Sequence, residues 1–299
     1  MTQNDRDSKS GRAGALAERI RGRAGAFSEG QRAVADYILR EYEKAAFLTA
    51  ARLGARVGVS ESTVVRFAMT LGYSGYPAMQ GSLQDMVRNK LTTVDRLLGS
   101  VDGLAGDETV LAKVLQRDID NIRQTLQETL PESFDQAVQL ILDARTIYVS
   151  GLRGASAPAH FLSFCLNWAL GNVRPVISGV EDWLEQMSAL DPADLVIAIS
   201  FPRYTRRTVE IADYARARGA GVLAITDSVM SPLAHRATVV LTAHSGIDSF
   251  VDSFTAPLSL INALLTAVGQ KAQSRTVPAL ERLEGDWGRY RVFWDEPGG

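Results

Sequence analysis

Residues Thr49 to Gly72 read TAARLGARVGVSESTVVRFAMTLG, and this stretch predicts two short helices joined by a tight turn. Apolar residues recur at helical spacing on both sides of the turn. Gly58 can adopt the positive φ that such a turn needs. Ser60 offers a side-chain oxygen to the free N–H groups of the second helix, and Glu61 suits its positive N-terminal end. The pattern is that of a helix-turn-helix.

The start of the second helix carries candidate DNA contacts. In a helix-turn-helix, the second helix enters the major groove of DNA while the first lies across the phosphate backbone. Hydroxyls can contact bases or phosphates, and an arginine can bind guanine or a phosphate through its planar fork. The polar residues placed for such contacts are Ser60, Ser62, Thr63 and Arg66. The alternative is an ordinary helical hairpin in which these residues are solvated caps.

Charge is distributed unevenly along the chain. Its 299 residues predict two domains of about 100 to 200 residues each. Residues 1–90 carry 14 Lys plus Arg against 9 Asp plus Glu, a net charge of +5, whereas the remainder carries 18 against 25, a net charge of −7. A basic first third beside an acidic remainder indicates a nucleic-acid-binding module joined to a domain of another kind.

Cysteine content and hydropathy predict a cytoplasmic protein. Cys165 is the only cysteine and lies in an apolar run, so we expect neither a disulfide framework nor a cysteine metal site, and we expect no cofactor. The opening MTQNDRDSKSGRAG lacks the apolar core of a signal peptide. No apolar run reaches the ~18 residues of a membrane span, so no membrane partner is expected.

The flanks extend the helix-turn-helix into a domain. Residues 1–14 are polar and predict a disordered arm. Ser28 is a predicted N-cap for a helix that packs on the hairpin, and a further amphipathic helix is predicted over about 78–98, after the glycines and proline of GYSGYP. Residues 15–98 are therefore predicted to form one helical domain.

This region resembles a known family. From Phe27 to Gln80 the chain closely resembles the N-terminal domain of the RpiR (also called MurR) family of bacterial transcriptional regulators. The most specific part runs from Val59 to Pro77 and includes SESTVVRF and LGYSGYP. The resemblance implies a winged or five-helix helix-turn-helix domain with Ser62, Thr63 and Arg66 on the recognition helix.

The second half of the chain predicts a parallel sheet. Residues 99–108, GSVDGLAGDE, predict a linker, and two helices are expected before Arg145. Strands are then predicted at 146–150, 172–177, 194–200, 221–226 and 238–243, each separated from the next by helical or loop sequence. This alternation predicts a doubly wound parallel α/β domain over 109–275, followed by an aromatic C-terminal tail at 276–299.

Two loops at the carboxyl ends of these strands suit anions. The first is SGLRGAS at 150–156, where two glycines allow close backbone approach and Ser156 joins the N–H groups of a helix start. The second is ISFPRYTRRT at 199–208, which offers the hydroxyls of Ser200 and Thr205 and the guanidinium groups of Arg203, Arg206 and Arg207. Alternatively, the arginines belong to a solvated loop and helix start.

The two loops resemble those of the SIS domain, a sugar isomerase fold that binds phosphosugars, over about residues 145–272. Pro202 and Arg203 stand where the SxSGxT phosphate loop has its second serine and its glycine. The resemblance implies a small anionic effector, a phosphosugar or a sugar acid. It would be bound by the residues that match the two loops, namely Gly151, Gly154, Ser156, Ser200 and Thr205, together with Arg203.

The whole chain is thus expected to be a DNA-binding transcriptional regulator rather than an enzyme. It would bind double-stranded operator DNA as a homodimer or a dimer of dimers and would have no catalytic residue. The alternative is a phosphosugar isomerase with an appended helical domain. The acid–base candidates for that alternative are His160, His235, His244, Asp248 and Asp252.

Overall fold

A computed structural model of the chain describes residue 20 and residues 22–88, 92–94, 96–97, 109–177, 182–246 and 249–294. The chain divides into two compact units, with the main boundary between Gly106 and Asp107. The predicted disordered arm, 1–14, lies outside the described residues, as does the predicted linker, 99–108.

The first unit is helical. Ser28 caps its first long helix as predicted, since the Ser28 hydroxyl accepts from the N–H of Gln31 while the Gln31 side chain accepts from the N–H of Ser28. Helices and no strand occur in the described part of this unit, which fits the five-helix rather than the winged alternative. Its helices are α1 (Glu29–Ala45), α2 (Ala50–Val57), α3 (Glu61–Thr70) and α4 (Tyr76–Arg88).

The core of the first unit holds α2 and α3 against α1. Val34, Leu53, Val64 and Phe67 are each 0% exposed, and they come from three different helices. The ring of Phe27 packs on that of Phe67 with 5.2 Å between centroids. Because α3 buries this apolar side, its opposite side and its first turn are left at the surface.

The second unit contains the predicted parallel sheet. Its five strands are all parallel and lie in the order β2-β1-β3-β4-β5, which confirms the doubly wound α/β fold. The strands are β1 (Ile147–Ser150), β2 (Val173–Val176), β3 (Leu195–Ile199), β4 (Gly221–Thr226) and β5 (Val239–Thr242). The strand order reverses between β1 and β3, and the carboxyl edge at such a reversal is where open α/β sheets bind ligands.

Helices cover both faces of the sheet. Leading helices α5 (Val110–Glu128) and α6 (Pro131–Asp143) precede β1. One face packs against α6, α7 (Ser156–Leu170) and α10 (Thr255–Lys271), and the other packs against α9 (Arg206–Ala217) and the turn after α8 (Trp183–Gln186). Successive residues of β1 therefore face opposite layers, as the nearly continuous apolar sequence of a buried strand requires.

The region predicted as a C-terminal tail contains a long helix, α11 (Gln273–Tyr290). It packs on α7, where the Trp287 ring meets the edge of Trp168 with 5.4 Å between centroids. Arg275 also donates from Nη2 to the carbonyl of Leu170 at 2.6 Å. Trp287 thus docks on the domain as part of a helix, whereas Tyr290, Phe293 and Trp294 remain largely exposed.

Candidate functional site

The turn between α2 and α3 has the predicted geometry. Gly58 ends α2 in the left-handed region at φ 76°. Ser60 caps α3 by accepting from the N–H of Thr63 at 3.3 Å, and Glu61 occupies the first turn. These features confirm the predicted roles of Gly58 and Ser60 in shaping the helix-turn-helix.

Gly54 is a structural requirement that the sequence pattern did not single out. A Cβ at Gly54 would lie 2.7 Å from the carbonyl oxygen of Val59, which is too close for any side chain. The bare Cα lets the turn fold back onto α2, and the N–H of Val59 then donates to the carbonyl of Gly54 at 2.9 Å. This close approach fixes the angle at which α3 leaves the turn.

The four predicted DNA contacts lie together at the start of α3. Ser60, Ser62 and Arg66 are exposed and Thr63 is half-buried. The Ser60 hydroxyl lies 2.9 Å from both the Ser62 and the Thr63 hydroxyl, so the three form one hydrogen-bonded group. This first turn can therefore present hydroxyls and, one turn later, a guanidinium to a DNA groove.

The preceding helix adds two cations that were not predicted as contacts. Arg52 and Arg56 are exposed and lie one turn apart on α2. In a helix-turn-helix this helix crosses the phosphate backbone, so arginines on its exposed side can contact phosphates. Their i, i+4 spacing was the available sequence signal.

The first anion loop is tightly built. A Cβ at Gly151 would lie 2.5 Å from the carbonyl oxygen of Ala155, so this position needs glycine, whereas a Cβ at Gly154 would make ordinary contact at 3.5 Å with Phe254. Arg153, between them, takes a positive φ of 57°. Ser156 donates from Oγ to the carbonyl of Arg153 at 2.6 Å, so its hydroxyl would have to rotate to donate to an anion.

A cavity of about 490 Å³ opens beside this loop, at the carboxyl ends of β1 and β2. It brings together Gly151 and Ser156 but does not include the predicted residues of the second loop. His160 from α7 and the apolar end of β2 complete its wall. The residues that shape it are Gly151, Arg153, Ser156, His160, Val176 and Ile177.

The second candidate loop contains Ser200 and Thr205, with Pro202 and Arg203 between them. Ser200 is buried after β3, and its Oγ accepts from the N–H of Thr205 at 3.3 Å. Thr205 stands at the N-cap of α9, but its side chain makes no capping bond. Arg203 has a φ of 60°, the left-handed conformation that suits the glycine of the SxSGxT pattern. The backbone at Arg203 is therefore in the conformation that would suit the glycine of that pattern, although the residue here is arginine.

Arg206 and Arg207, at the end of this loop, are each paired with a carboxylate. Arg206 donates from Nε to Glu210 at 2.8 Å, and Arg207 donates from Nη1 to Asp182 at 2.7 Å. The hydrogen bond from Arg207, together with one from the backbone N–H of Trp183, lowers the pKa of Asp182. These pairs favour the structural alternative for Arg206 and Arg207.

Two buried hydroxyls on the same side of the sheet were not predicted as site residues. Ser150 ends β1 and Thr208 lies in the first turn of α9, and neither side-chain oxygen has a hydrogen-bond partner among the described residues. Side chains alternate along strands, so Ser150 and Ser200 both point toward the layer that holds α9. Buried hydroxyls without partners are costly unless something binds them, which makes this layer a candidate contributor to a ligand site.

A carboxylate also faces the second loop. The hydroxyl of Tyr204 donates to Asp227, which follows β4, and the Thr226 hydroxyl donates to the same oxygen at 3.2 Å. The sequence alone did not indicate that Asp227 lies at this site, because only the pairing of β3 with β4 places the end of β4 beside the loop that follows β3.

The candidates for acid–base chemistry are scattered. The ring of His244 lies 2.9 Å from a carboxylate oxygen of Glu128 on α5, His160 lines the cavity, and His235 lies in a short 3₁₀ turn. Asp252 is half-buried, and Asp248 lies outside the described residues. The described part of the chain contains no group of three His, Cys, Asp or Glu side chains able to hold a metal. Within the same ranges, no helix is both long and apolar enough to cross a membrane.

Family models match both units. Residues 14–90 match the helix-turn-helix domain of the rpiR family, and residues 140–267 match the SIS domain. The chain is 30% identical over 279 residues to the HTH-type transcriptional regulator HexR of Pseudomonas aeruginosa, covering 90% of this chain and 94% of that protein. It is 27% identical over 275 residues to HexR of Escherichia coli, with 90% and 93% covered.

Solved structures agree with these matches. The sugar isomerase domain of an RpiR transcription factor from Sphaerobacter thermophilus is 31% identical with a TM-score of 0.57, covering 59% of this chain and 99% of that one. NanR of Vibrio vulnificus, solved with ManNAc-6P, is 24% identical with a TM-score of 0.54, covering 90% and 97%. A helix-turn-helix domain of the rpiR family followed by a SIS domain is the architecture of a bacterial transcriptional regulator. The chain belongs to the RpiR family.

Proposed function

We propose that this regulator binds operator DNA through α3 and responds to a small anionic, sugar-derived effector held by its SIS domain. The observation that carries the proposal is the first turn of α3, where Ser60, Ser62 and Arg66 are exposed directly after the left-handed turn at Gly58. A helix presented in this way can place hydroxyls and a guanidinium against base edges in the major groove.

DNA contacts are expected from both helices of the motif. Arg66 would bind a base or a phosphate from α3, and Arg52 and Arg56 would contact phosphates from α2. Contacts to phosphates set orientation and affinity, whereas contacts to bases set sequence preference. Loss of Arg66 should therefore reduce discrimination between sequences as well as affinity.

We propose that the regulator acts as a homodimer. Helix α5 has a row of exposed apolar residues at spacings of three and four: Leu111, Leu115, Ile119, Ile122 and Leu126. Such a row suits pairing with the same helix of a second copy. Two α3 helices in a symmetric dimer would then read half-sites about 34 Å apart.

The effector is proposed to be a phosphosugar or a sugar acid. Its anionic group would lie at Ser200, Arg203 and Thr205, where the N-terminus of α9 also favours negative charge. Gly151, Gly154 and Ser156 would contact the ligand from the first loop. ManNAc-6P, with which the Vibrio vulnificus NanR protein was solved, is a sugar phosphate and so belongs to the class proposed here.

We propose that the SIS domain senses this ligand without converting it. Isomerisation needs an acid and a base over the sugar carbons, whereas His160 is the only acid–base candidate among the described residues that line the cavity. The curated relatives are also transcriptional regulators. Incubation with aldose phosphates should leave them unchanged by NMR, and steady formation of ketose phosphate would favour the isomerase alternative.

Selection of DNA from a random duplex pool tests the DNA-reading assignment. The wild-type chain should enrich a symmetric motif, and Arg66→Ala should bind the selected duplex about 10- to 100-fold more weakly, with a flatter sequence preference. Arg40→Ala is the matched control, because Arg40 is exposed on α1 and bonds its own helix at the carbonyl of Asp36. Wild-type affinity in Arg66→Ala would overturn the assignment.

A further inference from the structure

Helix α5 is attached to the segment after β5 by a row of polar side chains. Asp118, Asn121, Thr125 and Glu128 recur at spacings of three and four residues, so they lie along one face of the helix. Each makes a hydrogen bond to a residue between 244 and 255. This segment leaves the carboxyl end of β5, the edge of the sheet at which ligands bind.

Asp118 accepts two of these hydrogen bonds, one at each carboxylate oxygen. Ser253 donates to one of its carboxylate oxygens at 2.5 Å, and Thr255 donates to the other at 2.9 Å. We call these three residues the Asp118 clasp. Asn121 donates to the carbonyl of Gly246 at 2.8 Å, and Thr125 accepts from the N–H of His244 at 2.9 Å.

The polar face of α5 is the one that is packed inward. Asn121 and Thr125 are buried, while Leu111, Leu115 and Leu126 on another side of the helix are exposed. Directional hydrogen bonds therefore hold α5 along this face, and such bonds weaken steeply when distance or angle changes. A small displacement of the segment that carries Ser253 and Thr255 would therefore weaken the hydrogen bonds to Asp118.

Phe254 links this segment to both anion loops. It lies between the two hydroxyl residues of the clasp, and its ring meets that of Phe201 edge-on, with 5.6 Å between centroids. Phe201 directly follows Ser200 in the second loop. The Phe254 ring also lies 3.5 Å from the position that a Cβ on Gly154 would take, in the first loop. One side chain thus contacts Phe201, next to the second loop residue Ser200, and lies beside Gly154 of the first loop.

We infer that Phe254 and the Asp118 clasp couple occupancy of the effector loops to helix α5. An anion held by the two loops would fix the walls on either side of Phe254, and through Ser253 and Thr255 it would strengthen the hold on Asp118. Helix α5 is the first element of the SIS unit after the helix-turn-helix unit in the chain, so it is placed to pass on the change. The inference rests on the proposed effector site.

The Asp118 clasp lies on a path of contacts that leads from the second candidate loop to helix α5. A chain of contacts runs from Phe201 through Phe254 and Ser253 to Asp118, and each step is a ring contact, a covalent neighbour or a hydrogen bond. Binding that orders one end of such a chain reduces the freedom of the other end. Backbone amides of α5 should then open less often when the loops are occupied.

Hydrogen exchange of the full-length chain, with inorganic phosphate as the probe, tests this coupling. In the wild type, phosphate should slow exchange in 200–208, which reports binding, and in 110–128 by about fivefold or more, while leaving 273–290 unchanged. Asp118→Asn should keep the response in 200–208 and lose that in 110–128. Phe254→Leu should also lose the response in 110–128.

Asp120→Asn is the matched control. Asp120 lies on the same helix and pairs with Arg123 at 2.9 Å on the exposed side, so this variant should respond as the wild type does. A full response of 110–128 in Asp118→Asn would overturn the coupling, and so would a wild-type chain that protects 200–208 alone. Absence of protection in 200–208 would instead overturn the proposed effector site, and the coupling with it.

Discussion

At the scale of single residues, Asp194 ties together the starts of two central strands. It is 3% exposed and accepts from Arg145 at 2.7 and 2.9 Å, from the N–H of Thr146 at 3.1 Å and from the N–H of Asp191 at 2.9 Å. Burial by itself would raise the pKa of this carboxyl. The hydrogen bonds from Arg145 and the two backbone N–H groups outweigh burial and hold the pKa below its usual 3.8.

The direction of this shift gives a pH-dependent prediction. A carboxyl whose pKa is lower in the folded state stabilises the fold above its unfolded pKa and loses that contribution as pH falls through the folded value. Asp194→Asn should therefore lower the free energy of unfolding by about 2–3 kcal/mol at pH 7, and the difference from wild type should shrink below pH ~4.

Urea unfolding at pH 7 and at pH 3.5 measures this difference. Asp135→Asn is the control, since Asp135 is 69% exposed and pairs with Lys271 at the surface. That variant should stay within about 0.5 kcal/mol of the wild type at both pH values. A difference for Asp194→Asn that does not depend on pH would contradict the role given to its charge.

At the scale of elements, the sequence predicted where helices begin, but it did not predict helices that are stabilised by contacts with distant parts of the chain. Ser28, Gly58 and Ser60 act through neighbours three or four residues away, so a local pattern is enough to place them. Helix α11 was not predicted, and its sequence contains Pro278 and two glycines, which have low intrinsic helix propensity. What stabilises it is Trp287 on Trp168, a contact between residues far apart in the chain.

The turn of the helix-turn-helix requires glycine at position 54, and this requirement can be tested. Gly54→Ala should lower the free energy of unfolding by about 1–3 kcal/mol and weaken DNA binding, because the new methyl would meet the carbonyl of Val59. Gly81→Ala in α4 meets nothing within 4 Å and should instead stabilise the chain by about 0.5–1 kcal/mol. Urea unfolding of both variants measures the contrast. Equal effects of the same sign would show that helix propensity, not the close approach, governs Gly54.

At the scale of the whole molecule, the helix-turn-helix unit is the one proposed to bind DNA, and the SIS unit is the one proposed to bind the effector. The fold and the position of the two candidate loops in the sequence could be predicted, because the alternation of strands and helices is visible in the hydropathy pattern and in the family resemblance. Ser150, Thr208 and Phe254 could not, because their roles depend on which strands and helices become neighbours. At position 203 the sequence showed arginine where the SIS pattern has glycine. It did not show that the backbone of Arg203 is left-handed.

The effect of an anionic ligand on operator affinity tests the central claim most directly. A thermal-shift screen of sugar phosphates and sugar acids first selects the ligand, since one present at about 100 times its Kd should stabilise the chain by ~2.7 kcal/mol. Fluorescence anisotropy then measures the Kd for the selected operator with and without that ligand. The account predicts a change of about fivefold or more, lost in Arg203→Ala although this variant still binds the operator. An operator Kd that stays the same at saturating ligand would contradict it.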